Sequence, residues 1–370
     1  MQQADRPADS GSQINGIDPV FFGLGTAVLF GCGAPLAKIG LATISPIILA
    51  GLLYLGSASG LAGYLAIRSL IKNDRPERES SLKREDFIWL AGVIICGGFL
   101  APFVLMASLD QIPAATATLL LNFEVVSTTL LAALAFHEFV GRRVWIALAC
   151  ITTACILLTC RPGVPLSLSL PAIGILMACT FWALDNNFSR NIALRDPVII
   201  VVVKGFCGGL ISLCAGMLLG EPLPAPGPAG SALILGFISY GGLASVLFLL
   251  ALRGLGSARS GALLSISPLF GGALSFLLFS EPLPTFFMVA VPIMAAGIIL
   301  LLTEDHRHLH VHEPLVHEHR HRHDDLHHHH SHDDELMPED HNQEHSHLHT
   351  HPGIIHDHPH KPDIHHRHRH

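Results

Sequence analysis

From residue 19 to residue 303 the chain is a succession of apolar runs, each of roughly 18–25 residues and parted from the next by a short polar break. A bilayer core ~30 Å thick takes about 20 apolar residues of helix to cross, and a soluble fold has no use for so many such runs. Windows of ~19 residues place spans at 20–37, 46–68, 87–109, 114–136, 144–160, 171–189, 198–219, 231–252, 260–279 and 286–303. The expected fold is therefore an all-α polytopic membrane protein of about ten transmembrane helices. Glycine and proline recur inside the runs, for example Gly31, Gly33 and Pro35 in the first and Pro102 in the third. Membrane helices tolerate both where a neighbour satisfies the freed backbone groups.

Charge and histidine divide the chain at Thr303. Up to that residue 16 Lys and Arg face 15 Asp and Glu, whereas from Glu304 onward 6 face 14. Of the 26 histidines, 25 lie between His306 and His370, and His137 stands alone in the body. Residues 1–19 are polar and lack the short apolar core of a cleavable signal, so the first span is expected to direct insertion itself. The eight cysteines all fall in or at the ends of apolar runs and form no CxxC pair, which suggests neither a disulfide framework nor a cysteine-zinc site.

With ten spans both termini share one side of the membrane. The loop after the second span carries Arg68, Lys72, Arg75, Arg78, Lys83 and Arg84, and later loops on that side carry Arg142, Arg143, Arg190, Arg195, Arg253 and Arg259. Opposite them stand Arg161 and Lys38. By the positive-inside rule both termini, and the histidine tail with them, are expected in the cytoplasm of a bacterial cell, the body lying in its inner membrane.

A shift of 143 residues lays His137-Glu138 onto Ser280-Glu281, Leu119-Leu120-Leu121-Asn122 onto Ala262-Leu263-Leu264-Ser265, and Ala114-Ala115 onto Ser257-Ala258. The chain thus reads as two five-span halves, 20–160 and 171–303, followed by a tail at 304–370. An odd number of spans per repeat inverts the second half relative to the first, an architecture common among secondary transporters.

Each half has a short loop, a small-residue span (Ala114 to Phe136; Ser257 to Phe279), a glutamate at its end (Glu138; Glu281) and a final apolar span. In these features it resembles an EamA domain of the drug/metabolite transporter superfamily. The first half departs from the pattern by placing Asn122-Phe123-Glu124 where a stretch like Ser267-Pro268 is commoner, and Asp185-Asn186-Asn187 is likewise particular to this chain. Joined to a histidine-rich end, the body is similar to the membrane proteins of bacterial nickel-cobalt and nickel-cobalt-cadmium resistance operons. The resemblance implies a secondary transporter, and for the second likeness metal efflux alongside other efflux components.

Neutral imidazole binds nickel, cobalt, copper and zinc ions, and its unperturbed pKa of ~6.5 leaves most of it neutral at cytoplasmic pH. The tail offers it in alternation at His306, His308, His310 and His312, at His317, His319, His321 and His323, at His345, His347, His349 and His351, and at His356, His358 and His360. His327, His328, His329 and His330 form a further run, and Asp324, Asp325, Asp333 and Asp334 add negative potential for a cation. In an extended chain the alternation sets successive rings on one side, within reach of a shared ion. Scattered prolines and the lack of apolar periodicity lead to the expectation of a tail that is disordered without metal and binds divalent ions, nickel and cobalt with cadmium and zinc as further candidates.

Charges inside spans are costly and mark functional sites by default. Glu124 lies midway along the fourth span beside Asn122. Asp185 near the end of the sixth span and Lys204 near the start of the seventh fall at similar depth on consecutive helices, so their pairing is expected. Glu124 is then left without an obvious partner, unless it competes for Lys204. A carboxylate held out of water can alternate between a proton and a cation, which is what a proton-driven cation exporter requires, and Asn122, Asp185, Asn186 and Asn187 can add oxygen ligands. His137, at the mouth of the fourth span, is a candidate ligand or an interfacial residue.

The sequence contains no Walker motif, no nucleophile beside a base and no basic face in water, so neither an enzyme nor a nucleic-acid partner is expected, and no cofactor is required. Export of nickel or cobalt stands first. An exporter of a small organic metabolite whose tail buffers metal, and a non-transporting membrane sensor or store, are the alternatives.

Overall fold

The computed structural model describes residues 19–71, 84–135, 140–159, 169–192, 197–248, 250–251, 263–264, 266–280, 285–302, 306–311, 315–321, 345–351 and 355–360. The membrane body is all helical. The first half comprises α1 (Pro19–Leu41), α2 (Pro46–Ile71), α3 (Phe87–Gly92), a π-helical segment (Val93–Leu100), α4 (Ala101–Leu109), α5 (Ala114–Leu120), α6 (Phe123–Ala135) and α7 (Arg142–Thr159). The second comprises α8 (Leu170–Asn191), α9 (Pro197–Leu218), α10 (Pro226–Ser239), a helical stretch at 243–248, helical residues 263–264, α11 (Ser267–Phe279) and α12 (Thr285–Leu302). Helices α1, α2, α9 and α10 each begin on a proline. The missing N–H costs nothing there, because the first turn has no intrahelical acceptor for it.

Among the described residues six stretches are long and apolar enough to cross a membrane: Pro19–Leu41, Pro46–Ile67, Phe87–Leu109, Ala114–Ala135, Val198–Leu218 and Pro226–Phe248, with shorter apolar helices at Ser267–Phe279 and Met288–Leu300. The remaining helices are less apolar for a reason visible in their sequences. Arg142 and Arg143 open α7, and α8 carries Asp185, Asn186 and Asn187. The outer surface is apolar, with Phe21, Ile88, Leu134, Leu218 and Leu277 each more than two-thirds exposed, as hydrocarbon solvent favours.

The two halves pack as a repeat should. Helix α2 lies on α9 and α7 on α12, like against like. Helix α1 packs on α10 and α11, and its counterpart α8 packs on α4 and α6; α2 also packs on α10, and its counterpart α9 on the π-helical segment. Exchanging the halves leaves this pattern unchanged. Ile48, Leu49, Leu53, Leu105, Met106, Leu120, Ile151 and Ile175 are among the fully buried side chains where the halves meet.

Contacts this close need residues without side chains. A Cβ on Gly236 of α10 would lie 2.0 Å from the carbonyl oxygen of Leu53 in α2, and one on Gly31 of α1 would lie 2.1 Å from that of Ser267 in α11. Helix association in lipid depends on such approaches, since lipid tails compete fully for apolar surface.

Four places in the body lose regular α geometry: the stretch 87–109 passes through the π-helical segment, 114–135 breaks at Leu121–Asn122, 226–248 breaks at residues 240–242, and a turn at Ile266 precedes α11. Under the 143-residue shift Asn122 falls onto Ser265, next to that turn. The stretches 87–109 and 226–248 occupy the third place in their halves, and each carries a glycine pair at its irregular point, Gly97-Gly98 and Gly241-Gly242.

In the tail, β1 (His306–Val311) pairs antiparallel with β4 (Ile355–His360), and β2 (Leu315–His321) with β3 (His345–His351). This differs from the expected absence of regular structure. The i, i+2 alternation read as a metal-binding pattern is also the pattern of a strand, and segments of six or seven residues suffice for a short ladder. The register sets histidine opposite histidine, His306 with His360, His308 with His358, His310 with His356, His317 with His349, His319 with His347 and His321 with His345. His312, His323 and His327 to His330 lie outside the described residues.

Gly236→Ala is expected to lower the thermal-unfolding midpoint of the purified protein, because overpacking against backbone costs ~1–3 kcal/mol. Gly63→Ala, where a Cβ meets nothing within 4 Å, should instead raise it slightly through the better helix propensity of alanine. Equal effects in a melting assay would contradict the close α2–α10 contact.

Candidate functional site

The irregular backbone surrounds a cavity of about 680 Å³ between the halves. Glu124, Asn122, Asp185, Asn186 and Lys204 all line it, so five of the residues singled out in the sequence meet in one place. The rest of its wall is mainly apolar and aromatic, with Phe30 from α1, Tyr54 from α2, Trp182 from α8 and Tyr240 beyond α10, and adds the hydroxyl residues Ser57, Thr118, Ser239, Ser245 and Ser267.

The break at Leu121–Asn122 is what brings Glu124 here. It ends α5 and starts α6 in mid-crossing, and Glu124 falls in the first turn of α6. The positive end of that helix dipole favours a carboxylate at this position, although the Glu124 and Val125 N–H groups are already bonded across the break to Leu121 O and Asn122 O. Asn186 Nδ2 donates to Glu124 Oε1 at 2.8 Å. Among the described residues Glu124 has no ion-pair partner. The helical stretch at Ser267–Pro268, the repeat counterpart, also opens on the cavity.

Asp185 and Lys204 are paired, Nζ to Oδ2 at 2.8 Å, with the Asp185 side chain 3% exposed. Ser189 Oγ donates to the other carboxylate oxygen at 3.3 Å. Helices α8 and α9 are consecutive, which sets the two residues at one depth, and the π-helical segment closes over them. A Cβ on Gly97 would fall 2.1 Å from Asp185 Oδ2, so the glycine is required by the ion pair. One cation thereby neutralises one of the two cavity carboxylates and leaves Glu124 as the site's uncompensated acid.

The other polar groups hold the wall in shape. Asn122 Nδ2 donates to Leu119 O at 3.1 Å and to Met294 Sδ at 3.2 Å. Trp182 Nε1 donates to Tyr54 OH at 3.2 Å, which fixes two aromatic faces. Asn187 is turned away from the cavity toward α6, where its Nδ2 donates to Ala183 O at 2.8 Å and Thr128 O at 3.4 Å. Successive helical residues point about 100° apart, so Asp185, Asn186 and Asn187 cannot all face one site. His137 lies outside the described residues, and nothing is described of the tail's side chains. The aromatic wall escaped the sequence reading because its members come from four separate crossings and share no motif.

Among the described residues no group of three or more His, Cys, Asp or Glu side chains is gathered as a metal centre. What the site offers a cation is one carboxylate, amide oxygens and room for a shell of water.

Removing one member of the buried pair should cost more than removing both. Lys204→Met strands Asp185 without its counter-charge, a loss of ~3–5 kcal/mol for buried pairs, whereas Lys204→Met with Asp185→Asn keeps the shape and removes both charges. Yield and melting temperature of the purified variants check this, with the double variant expected to recover most of the loss.

Comparison with known proteins agrees with this architecture. The EamA-like transporter family matches residues 19–160 and 169–303. An uncharacterized transporter of Methanothermobacter thermautotrophicus is 26% identical over 293 residues, spanning 74% of this chain and 83% of that protein. A solved crystal structure overlays with a TM-score of 0.55 at 18% identity, over 76% of this chain and 94% of the other, a likeness of fold. Two family matches laid over two exchangeable halves of a multi-pass helical body leave one assignment: the chain belongs to the EamA-like transporter family.

Proposed function

We propose that this transporter exports divalent transition-metal cations, nickel and/or cobalt with cadmium as a further candidate, from the bacterial cytoplasm by exchange for protons at Glu124, and so confers metal resistance. The observation that carries the cationic cargo is the single uncompensated carboxylate of the cavity. Its neighbours are an amide donor and a helix N-terminus, and Asp185 is occupied by Lys204.

The site's weakness as a metal ligand set suits transport. A transported ion must be bound well enough to enter and loosely enough to leave. Six waters at about 30 Å³ each occupy on the order of 200 Å³, which the cavity accommodates. An ion that keeps its water shell needs one carboxylate and polar neighbours. A cage of three or four protein ligands would retain it. Proton and ion then compete for Glu124: the ion displaces the proton from the cytoplasmic side, and a proton displaces the ion from the other.

The tail supports a metal as that cation. In the proposed orientation of ten crossings with both termini inside, its histidines concentrate ions beside the cytoplasmic opening. The strand register sets histidine across from histidine, and imidazole is a ligand that such ions take.

A second reading has its own observation. The wall is mainly apolar with four aromatic rings, and its volume falls in the ~300–1,000 Å³ range of small-molecule sites. A small organic solute with a cationic group would use the same Glu124, with the tail acting as a separate metal buffer.

Glu124→Gln is expected to abolish pH-gradient-driven uptake of cobalt(II) or nickel(II) into proteoliposomes and to raise cellular nickel severalfold, with expression unchanged. Wild-type flux in this variant would remove Glu124 from the mechanism. Truncation after Thr303 should leave proteoliposome flux intact and lower nickel tolerance of cells. Unchanged tolerance would favour the organic solute.

A further inference from the structure

Many hydroxyls within this body bond back along their own helix, while five buried ones, on Ser45, Thr116, Ser212, Ser239 and Tyr240, have no partner among the described residues. Thr26, Ser59, Thr118, Thr129, Thr153 and Thr180 each turn the side-chain oxygen back to the carbonyl four residues earlier, at 2.6–3.0 Å. That bond is how a hydroxyl is kept satisfied where no water is at hand. Of the five unpartnered hydroxyls, Ser239 Oγ and Tyr240 OH are the two whose residues line the cavity. A buried hydroxyl left unpaired loses its hydration with nothing in return, and here two consecutive residues bear that cost.

The backbone shows that the placement is built. Helix α10 ends at Ser239, Gly241 takes φ +125°, and the helix resumes at 243–248. A side chain on Gly241 would be strained at that φ and would lie 2.7 Å from Ser57 Oγ. On the other side Gly33 of α1 makes room for the ring, since a Cβ there would come within 3.3 Å of Tyr240 Cε2. The ring is thus seated on α1, and its hydroxyl cannot swing to another partner without repacking.

Glu124 and Asn122 reach the cavity from the stretch 114–135 of the first half, Ser239 and Tyr240 from the stretch 226–248 of the second. The cavity therefore has an anionic pole and a neutral hydroxyl pole contributed by different repeats. We propose that Ser239 and Tyr240 form an oxygen-recognition subsite, in which the two hydroxyls hydrogen-bond an oxygen atom carried by the cargo. The inference rests on the transport reading above and adds a division of labour. Glu124 responds to the charge of the cargo and couples it to protons, and the hydroxyl pair reads the oxygen shell around that charge. The oxygen has two sources of the same chemistry, a water in the first shell of a metal ion or a carboxylate oxygen of an organic chelator. Both hydroxyls can donate to it, and both can accept from a metal-bound water.

The test uses the full-length protein in proteoliposomes, with cobalt(II) presented as the aquo ion and as its citrate complex. Tyr240→Phe and Ser239→Ala keep the shape of the wall and remove only the hydroxyls. Each is expected to raise KM about five- to ten-fold while leaving the maximal rate and the pH dependence of flux at wild-type values, which a merely structural lesion would not do. A loss with the aquo ion assigns the oxygen to the hydration shell, and a loss confined to the citrate complex assigns it to a chelator. Unchanged KM in both arms overturns the subsite. Should the wild type move neither form, the metal cargo fails and the subsite is read by hydroxyl-radical labelling, which reports ordered water in contact with a side chain. Labelled Tyr240 is expected of a wet hydroxyl pole, and unlabelled Tyr240 overturns it.

Discussion

Inside a bilayer the backbone has nowhere to turn for hydrogen bonds but to itself, and this constraint governs where the chain is allowed to be irregular. Regular helix satisfies every N–H and C=O, so each departure must be buried in protein or must line a cavity. The π-helical segment, the break at Leu121–Asn122, the break at 240–242 and the turn at Ile266 all lie where elements of the two halves pack on one another. The cavity and the breaks imply one another. A break in lipid would be too costly to keep, and a cavity walled by unbroken apolar helices would have nothing polar to offer a charged cargo.

The same economy explains the charges. Asp185 and Lys204 could not remain in the body singly, and their pairing leaves a site whose net charge is set by Glu124 alone. The pair has a steric requirement at Gly97, and Gly98 brings the π-helical segment against Gly208 of α9. A widened helical turn, an ion pair and two helix contacts are therefore one feature. It holds α8 and α9 at the depth that lets Asn186 reach Glu124 across the interface.

Much of this was legible in the sequence because hydropathy and spacing are one-dimensional signals. The apolar runs announced a multi-pass helical body, the 143-residue shift announced its two halves, and the depth of Asp185 and Lys204 on consecutive runs announced their pairing. What stayed hidden depends on direction around a helix or on neighbours from other crossings. Asn187 sits beside two cavity residues in sequence and faces away from them. Phe30, Tyr54, Trp182 and Tyr240 read as ordinary apolar content until four separate stretches set them around one space. The breaks had a trace in the text, since Gly97-Gly98 and Gly241-Gly242 fall in the third stretches of the two halves, and Asn122-Phe123-Glu124 and Ser267-Pro268 fall at related places. Glycine is common in membrane helices, so such pairs declare themselves only when the repeats are laid side by side. The tail illustrates the converse, because one alternation served two readings and the strand register emerged only with the paired segments in view.

A carboxylate with water and a tail of imidazoles bind the same ion by different chemistry, and the proposed cycle needs that difference. Imidazole holds a late first-row ion more tightly than a lone carboxylate does, so an equilibrium tail competes with the cavity for cargo. It helps only by proximity. A tethered ligand array raises the local concentration of exchangeable ion toward the millimolar range set by tether length, and the loosely binding cavity then fills at cytosolic levels that would leave it empty on its own. This requires ions to leave the tail faster than the transporter turns over. Adjacent imidazoles that pass an ion stepwise meet that condition, and a closed four-ligand site does not. In the proposed cycle the weakness of the cavity and the redundancy of the tail would thus complement one another.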